Sequence, residues 1–201
     1  MKLIGITGGV GAGKSEILSY IEKNCNCRLL LSDSAAHEVE EPGQPCYDRL
    51  IELLGREVLM EDGRIDKKKM AAAIFSDRTL LAKVNAIIHP AVKKYILEEI
   101  EREKAAGERD AFFLEAALLI EEGYDRILDE LWYIYADEEV RRQRLKASRG
   151  YSDEKISHIF ESQLPETEFR AHCKVVIDNS KSLSDTYLQI DQILKEAGLK
   201  K

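Results

Sequence analysis

The residues best suited to chemistry in this chain lie in the segment Gly8-Gly9-Val10-Gly11-Ala12-Gly13-Lys14-Ser15. Its Gly8-x-x-x-x-Gly13-Lys14-Ser15 spacing is the pattern that cradles the phosphates of a nucleoside triphosphate. Glycines let the backbone wrap an anion with its N–H groups pointing inward, and the helix that follows adds the positive end of its dipole. Lys14 places a cation on the β- and γ-phosphate oxygens, and the Ser15 hydroxyl can ligate magnesium. The expected triphosphate contacts are therefore Gly9, Gly11, Ala12, Gly13, Lys14 and Ser15. Ser15 is the expected metal ligand, and Mg2+ with ATP the expected cofactor. At average composition the bare pattern arises by chance in on the order of one chain in a hundred of this length. Here an apolar strand precedes it and a helical pattern follows, the context the chemistry requires.

The elements that must position this loop can be read around it. Lys2 to Thr7 is a short buried strand running into the glycines, and Ile17, Leu18 and Ile21 put one apolar face on the helix behind Ser15. Leu29 to Leu31 is a second strand, ending at Ser32-Asp33. Further strands are expected at Ala111 to Leu114, Leu131 to Tyr135 and Lys174 to Ile177, with helices over 138–148, 153–163 and 183–197. Ser182 caps the last of these and Gly198 stops it. Short apolar strands alternating with helices predict an α/β fold, a five-stranded parallel sheet with helices on both faces in three layers. The stretch between strands two and three, about 34–109, is too long for one crossover and is the expected substrate-binding helical insertion. Within it, Glu61-Asp62-Gly63 is a turn signal, and Pro90 is expected to begin a new helix.

Composition narrows the partners. The 201 residues suit one domain; 44% are hydrophobic and 33% charged, and the formal net charge is −7. That balance disfavours nucleic acid and membrane as partners, so a phosphorylated ligand must be held by a local basic cluster. The start of the chain lacks a secretory pattern and no apolar run approaches the roughly 20 residues that span a bilayer, so a cytoplasmic protein is expected, as a monomer or weak homo-oligomer. Cys25, Cys27, Cys46 and Cys173 lack a zinc-ribbon spacing and read as free thiols, and His37, His89, His158 and His172 show no metal-ligand spacing.

Three kinds of phosphate-loop protein remain. A guanine-nucleotide switch should carry an Asn-Lys-x-Asp segment, which this sequence lacks. A motor ATPase needs more chain and an apolar strand ending in Asp-Glu; Phe112-Phe113-Leu114-Glu115 comes near, but no second domain follows. A small-molecule kinase fits best, with the basic run Arg141, Arg142, Arg144, Lys146 and Arg149 in a lid at about 138–155. Most of that run is a solvated helix face, leaving one or two arginines to reach a phosphate. Asp33, after strand two, is a candidate general base or an N-cap for a helix beginning at Ser34.

Taken together the blocks resemble the dephospho-coenzyme A kinase family nearly end to end. Gly5-Ile6-Thr7-Gly8-Gly9-Val10-Gly11-Ala12-Gly13-Lys14-Ser15 is similar to its opening signature. Asp33 with Glu41-Pro42-Gly43, Asp62-Gly63-Arg64-Ile65, Ile74-Phe75, His89-Pro90, Leu118-Leu119-Ile120-Glu121, Gln163-Leu164-Pro165 and Val176-Ile177-Asp178-Asn179 resemble the later blocks in order. Departures are Leu31 for an acid, His37 for arginine, Ala117 for proline, Lys174 for aspartate and Glu16 for threonine. Ser148 stands where an arginine is usual, with Arg149 one residue later. The resemblance implies transfer of the ATP γ-phosphoryl group to the ribose 3′-hydroxyl of dephospho-coenzyme A. It implies Asp33 as base and acceptor contact, Lys14 and Arg144 on the transferring phosphate, Asn179 beside ATP, and His89 and Leu118 at the acceptor; Arg149 is expected to reach the phosphate despite its one-residue shift from the family position. Glu115 is a candidate for a magnesium-bound water. The alternatives are a nucleoside or nucleoside-monophosphate kinase and a non-catalytic nucleotide-binding regulatory protein.

Overall fold

Strands form where the sequence is apolar in short runs: β1 (Lys2–Thr7), β2 (Cys27–Leu31), β3 (Ala111–Glu115), β4 (Glu130–Tyr135) and β5 (Val175–Asp178). The structure is a computed structural model that describes every residue except Ser76 and the side chain of Arg78. The strands make a five-stranded sheet in the order β2-β3-β1-β4-β5, with β1 paired in parallel to both β3 and β4, and β4 to β5. The chain divides into two compact units, Met1–Leu29 with Glu103–Lys201, and Leu30–Arg102.

In the first unit, helix α1 (Lys14–Asn24) buries Ile17, Leu18 and Ile21. They join a core with Ile4 and Ile6 of β1, Phe113 of β3, and Trp132 and Ile134 of β4. Burial of each such side chain stabilises the fold by roughly 1.5–3 kcal/mol. Helix α9 (Leu183–Glu196) adds Ile190 and Leu194 to the same cluster; as expected, Ser182 caps it by accepting from Asp185 N–H at 3.2 Å, and Gly198 follows at φ 70°. On the opposite strand face, Tyr133 stacks on Phe169 at 4.7 Å. Phe169 belongs to α8 (Glu166–His172), which sequence periodicity did not reveal because two turns around one buried residue leave no pattern to read. Helices α6 (Glu138–Arg149) and α7 (Asp153–Glu161) lie between β4 and α8 in sequence. β1 sits inside the sheet, its connection to β2 running to one side and that of β3 to β4 to the other; open parallel sheets bind ligands outside the carboxyl ends at such a switch point.

The second unit is helical: α2 (Ser32–Val39), α3 (Pro45–Leu54), α4 (Lys67–Phe75) and most of α5 (Arg78–Ala106). Its core gathers Val39, Cys46, Leu50, Leu54, Val58, Ile65, Met70 and Val84. The Glu61-Asp62-Gly63 turn forms as expected, joined by an antiparallel bridge between Leu59 and Ile65. The expected new helix at Pro90 does not form, because α5 runs through that residue. An interior proline costs about 3 kcal/mol and leaves a carbonyl without its partner. Ile87 and Ile88 before it, and Ala91, Val92 and Tyr95 after it, all pack on one cluster, which offsets that cost. Pro90 and Ala86 are both exposed, so a carbonyl that the proline leaves without its helical partner lies where water can reach it. Among the described residues no helix is long and apolar enough to cross a membrane, and all four cysteines are free and buried.

Candidate active site

The loop after β1 takes its shape from backbone angles that a side chain would resist. Ala12 N–H donates to Gly9 O at 3.1 Å, closing a turn whose third position is Gly11 at φ 86°, the left-handed value a type II turn requires there. Gly13, at φ 89°, is the left-handed N-cap of α1, so the free amides of the first helical turn open toward the loop. Lys14 Nζ donates to Gly8 O at 2.8 Å and lies 3.6 Å from Glu115 Oε1 at the end of β3. Ser15 is exposed in the first turn of α1. The Ser15 hydroxyl and Glu115 carboxylate are hard oxygen donors. With phosphate oxygens they suit a magnesium-like divalent ion and not a soft metal.

Helix α6 packs against the outside of this loop. Arg141, Arg144 and Leu145 share one of its faces. Arg141 Nε donates to Val10 O at 3.0 Å. Arg144 donates from Nη1 to Ala12 O at 3.3 Å and from Nη2 to Asn179 O at 2.8 Å. Asn179, 1% exposed, also donates from Nδ2 to Ala12 O at 2.8 Å and accepts from Thr186 Oγ1 at 3.0 Å. A Cβ at Gly13 would collide with that amide, and one at Gly11 would lie 3.0 Å from Arg141 O. Gly9, Gly11, Ala12, Gly13, Lys14, Arg144 and Asn179 are thus one assembly. Arg149 is different: it ends α6, is exposed, and its guanidinium carbon stands 5.9 Å from the Tyr151 ring centroid. Arg142 turns to Glu138 and Asp153 at 3.1 and 3.3 Å. Leu118, 46% exposed, lies in the turn after β3.

In the helical unit, Asp33 is exposed in the first turn of α2. Asp33 is not the N-cap of that helix. The extended backbone of Leu31 passes directly into a helix that starts at Ser32, so Leu31 holds the cap position, without a side-chain cap bond. Asp33, His37 and Glu40 follow one another along a single helix face. Glu40 is buried and ion-paired to Lys67. Burial pulls the Lys67 ammonium below its usual range, and the Asp33 charge opposes that shift. His37, Glu40, Arg64 and Lys67, together with Met60 and Ile65, line a cavity of about 170 Å³. His89, half-buried, sits mid-way along α5.

Residues 2–185 match the family model described as dephospho-CoA kinase. The chain belongs to the dephospho-CoA kinase family. The dephospho-CoA kinase of Carboxydothermus hydrogenoformans is 36% identical over 197 residues, covering 98% of this chain and 94% of that one. Among solved structures, TT1252 from Thermus thermophilus superposes with a TM-score of 0.79 at 30% identity, covering 97% of each chain. The Campylobacter jejuni dephospho-CoA kinase superposes with a TM-score of 0.75 at 20% identity, covering 98% of each chain, a likeness of fold.

Two of the residues that depart from the resembled pattern have partners in the structure. Glu16 accepts a hydrogen bond from the Tyr187 hydroxyl of α9, and Lys174 pairs with Glu130 at 3.0 Å. The sequence shows Arg141 within the basic run and Gln163 within a resembling block but gives neither a place at the loop, and it does not mark Thr186 there or Glu40 and Lys67 in the helical unit. The spacing of Arg141, Arg144 and Leu145 was a usable signal, since a buried leucine on an arginine-rich helix marks the packed face. Nothing local marked Thr186 or Glu40.

Proposed function

We propose that the chain transfers the γ-phosphoryl group of ATP, taken as its magnesium complex, to the ribose 3′-hydroxyl of dephospho-coenzyme A, the last step of coenzyme A synthesis. The observation that carries this reading is a fully formed triphosphate cradle, Gly8 to Ser15 with Lys14 at its mouth, in a chain of this family. In this reading Gly9, Gly11, Ala12 and Gly13 turn their backbone to the phosphates, and Lys14 neutralises the β- and γ-oxygens. Ser15 holds the metal, which when bound with ATP offsets phosphate charge. Asn179 backs the loop on the ATP side.

Asp33 takes the proton of the 3′-hydroxyl as that oxygen bonds to the γ-phosphorus and the bond to the ADP oxygen breaks. The helical unit Leu30–Arg102 receives the acceptor, with His89 there and Leu118 after β3 as its contacts. In a lid at about 138–155, Arg144, which holds Ala12 O and Asn179 O, and Arg149 supply positive charge to the transferring phosphate.

Purified protein with Mg-ATP and dephospho-coenzyme A should yield coenzyme A and an equal amount of ADP. Phosphorylation of AMP or CMP with none of dephospho-coenzyme A would transfer the assignment to a nucleotide kinase.

A further inference from the structure

Four carbonyls of the loop each meet a donor, two from the loop itself and two from residues packed against it. Gly8 O accepts from Lys14 Nζ at 2.8 Å, Gly9 O from Ala12 N–H at 3.1 Å, and Val10 O from Arg141 Nε at 3.0 Å. Ala12 O accepts from both Asn179 Nδ2 and Arg144 Nη1. A trans peptide is planar, so its N–H points opposite to its C=O. Each clamp on a carbonyl therefore aims the next amide away from the clamp. Drawing Val10 O outward onto Arg141 turns Gly11 N–H into the cradle.

Arg141 is unusual among these clamps. A second guanidinium nitrogen donates to Gln163 Oε1, and the group lies 4.2 Å over the Phe160 ring. A Cβ at Gly9 would collide with it, so the cation lies flat on the loop backbone. Its bonded partners are a carbonyl, an amide and a ring, all neutral, whereas Arg142 beside it ends on two carboxylates. Burial pulls the Arg141 pKa below the usual arginine range, yet a guanidinium stays charged in a protein. A partly buried charge calls for a counter-charge; the Glu138 carboxylate supplies part of it through space, and the guanidinium lies directly against the loop at Gly9 and Val10.

We infer that Arg141 is a positioning residue for the nucleotide phosphates, fixing the Val10–Gly11 peptide with its N–H inward and supplying positive charge to the cradle. This rests on the loop being the ATP site. Calorimetric titrations with Mg-ATP, Mg-ADP and adenosine test it on Arg141→Gln and Arg141→Lys, with Arg142→Gln as control. Arg141→Gln should bind ATP and ADP at least about tenfold more weakly, about 1.4 kcal/mol, with adenosine affinity unchanged. Arg141→Lys keeps the charge but cannot reach Val10 O and Gln163 together, so its loss should be about threefold. Should Arg141→Gln fail to fold, a selective loss in Arg141→Lys supports the inference and wild-type ATP affinity overturns it. Equal weakening of ATP and adenosine with a lowered melting temperature would reduce Arg141 to a brace between α6 and α7, and overturn it too. Lys14→Met separates the two readings: if that variant also binds ATP normally, the loop is not the nucleotide site. If only Arg141→Gln binds normally, the inference about Arg141 alone is lost.

Discussion

The glycine loop and the charged face of α2 handle polar groups in opposite ways. Around the loop, the carbonyls of Gly8, Gly9, Val10 and Ala12 each meet a donor, and Asn179 is 1% exposed behind them. On α2, Asp33 and His37 stand exposed, and only Glu40 at the far end of the face is buried, against Lys67. The loop's dipoles are therefore fixed before a ligand meets them, and preorganised dipoles need little rearrangement as charge develops. The side chains on α2 keep rotamer freedom that binding must remove. A rigid cradle suits a phosphate chain of constant geometry, and mobile side chains suit a long acceptor that brings its own hydroxyl into place. The difference implies that loop variants weaken ATP binding and turnover together, while α2 variants lower turnover with ATP affinity intact.

The largest effect is expected at Asp33. Asp33→Asn removes a proton acceptor while keeping the size and much of the hydrogen bonding of the side chain. Turnover should fall roughly 10²- to 10⁴-fold, with ATP affinity unchanged by calorimetry. Stability should drop by only about 0.3–1 kcal/mol, the interaction of a first-turn carboxylate with the helix dipole. Near-normal turnover would remove Asp33 as base. A loss of ATP affinity as large as the loss of rate would erase the contrast between the two regions.

Lys14→Met tests the rigid side. It deletes the cation that reaches the β- and γ-phosphates and also releases Gly8 O, so affinity and rate should fall together. Turnover should decline roughly 10²- to 10³-fold, the scale of removing one preorganised charge stabiliser. Rate measured against ATP concentration checks this, and a variant that turns over normally would show that the loop does not grip the reacting phosphates.

The same contrast explains what could be read in advance. The phosphate loop was legible because its chemistry is local: eight consecutive residues specify the turn, the helix start and the lysine. The sheet was legible because strands buried on both faces are short apolar runs. Groups that act through another part of the chain were not. Arg141 and Thr186 lie far from Gly9 in sequence, and only folding brings Arg141 to Val10 O and Thr186 to Asn179 Oδ1. For Asp33 the sequence left an N-cap open beside the base, and only the structure removes the cap, because a helix beginning directly at a strand end carries no Ser, Asp or Asn signal at its cap position, which here is Leu31. Pro90 misled for a related reason. Its local preference to start a helix is worth less than the shared core contacts of Ile87, Ile88, Val92 and Tyr95 on either side of it.

The smallest effect expected is at the end of α6, where the contrast between fixed and mobile groups falls within one helix. Arg142 and Arg149 lie on the same helix face, away from Arg141 and Arg144. Arg142 is tied to Glu138 and Asp153. Among the described residues Arg149 has only the ring of Tyr151 beside it, at 5.9 Å, and Gly150 follows in the left-handed conformation at φ 62°. An exposed arginine at a helix end, before a glycine, can swing toward charge that develops during transfer at little conformational cost. Arg149→Ala should therefore lower turnover at saturating substrates by about tenfold, roughly 1.4 kcal/mol of transition-state stabilisation, with ATP affinity hardly changed. Arg142→Ala should be nearly silent in rate, since its partners are surface carboxylates. Arg144→Ala should lower both affinity and rate, because Arg144 already holds Ala12 O and Asn179 O. A silent Arg149→Ala beside a crippled Arg144→Ala would leave Arg149 a surface charge and place the whole electrostatic contribution of α6 on the face already packed against the loop.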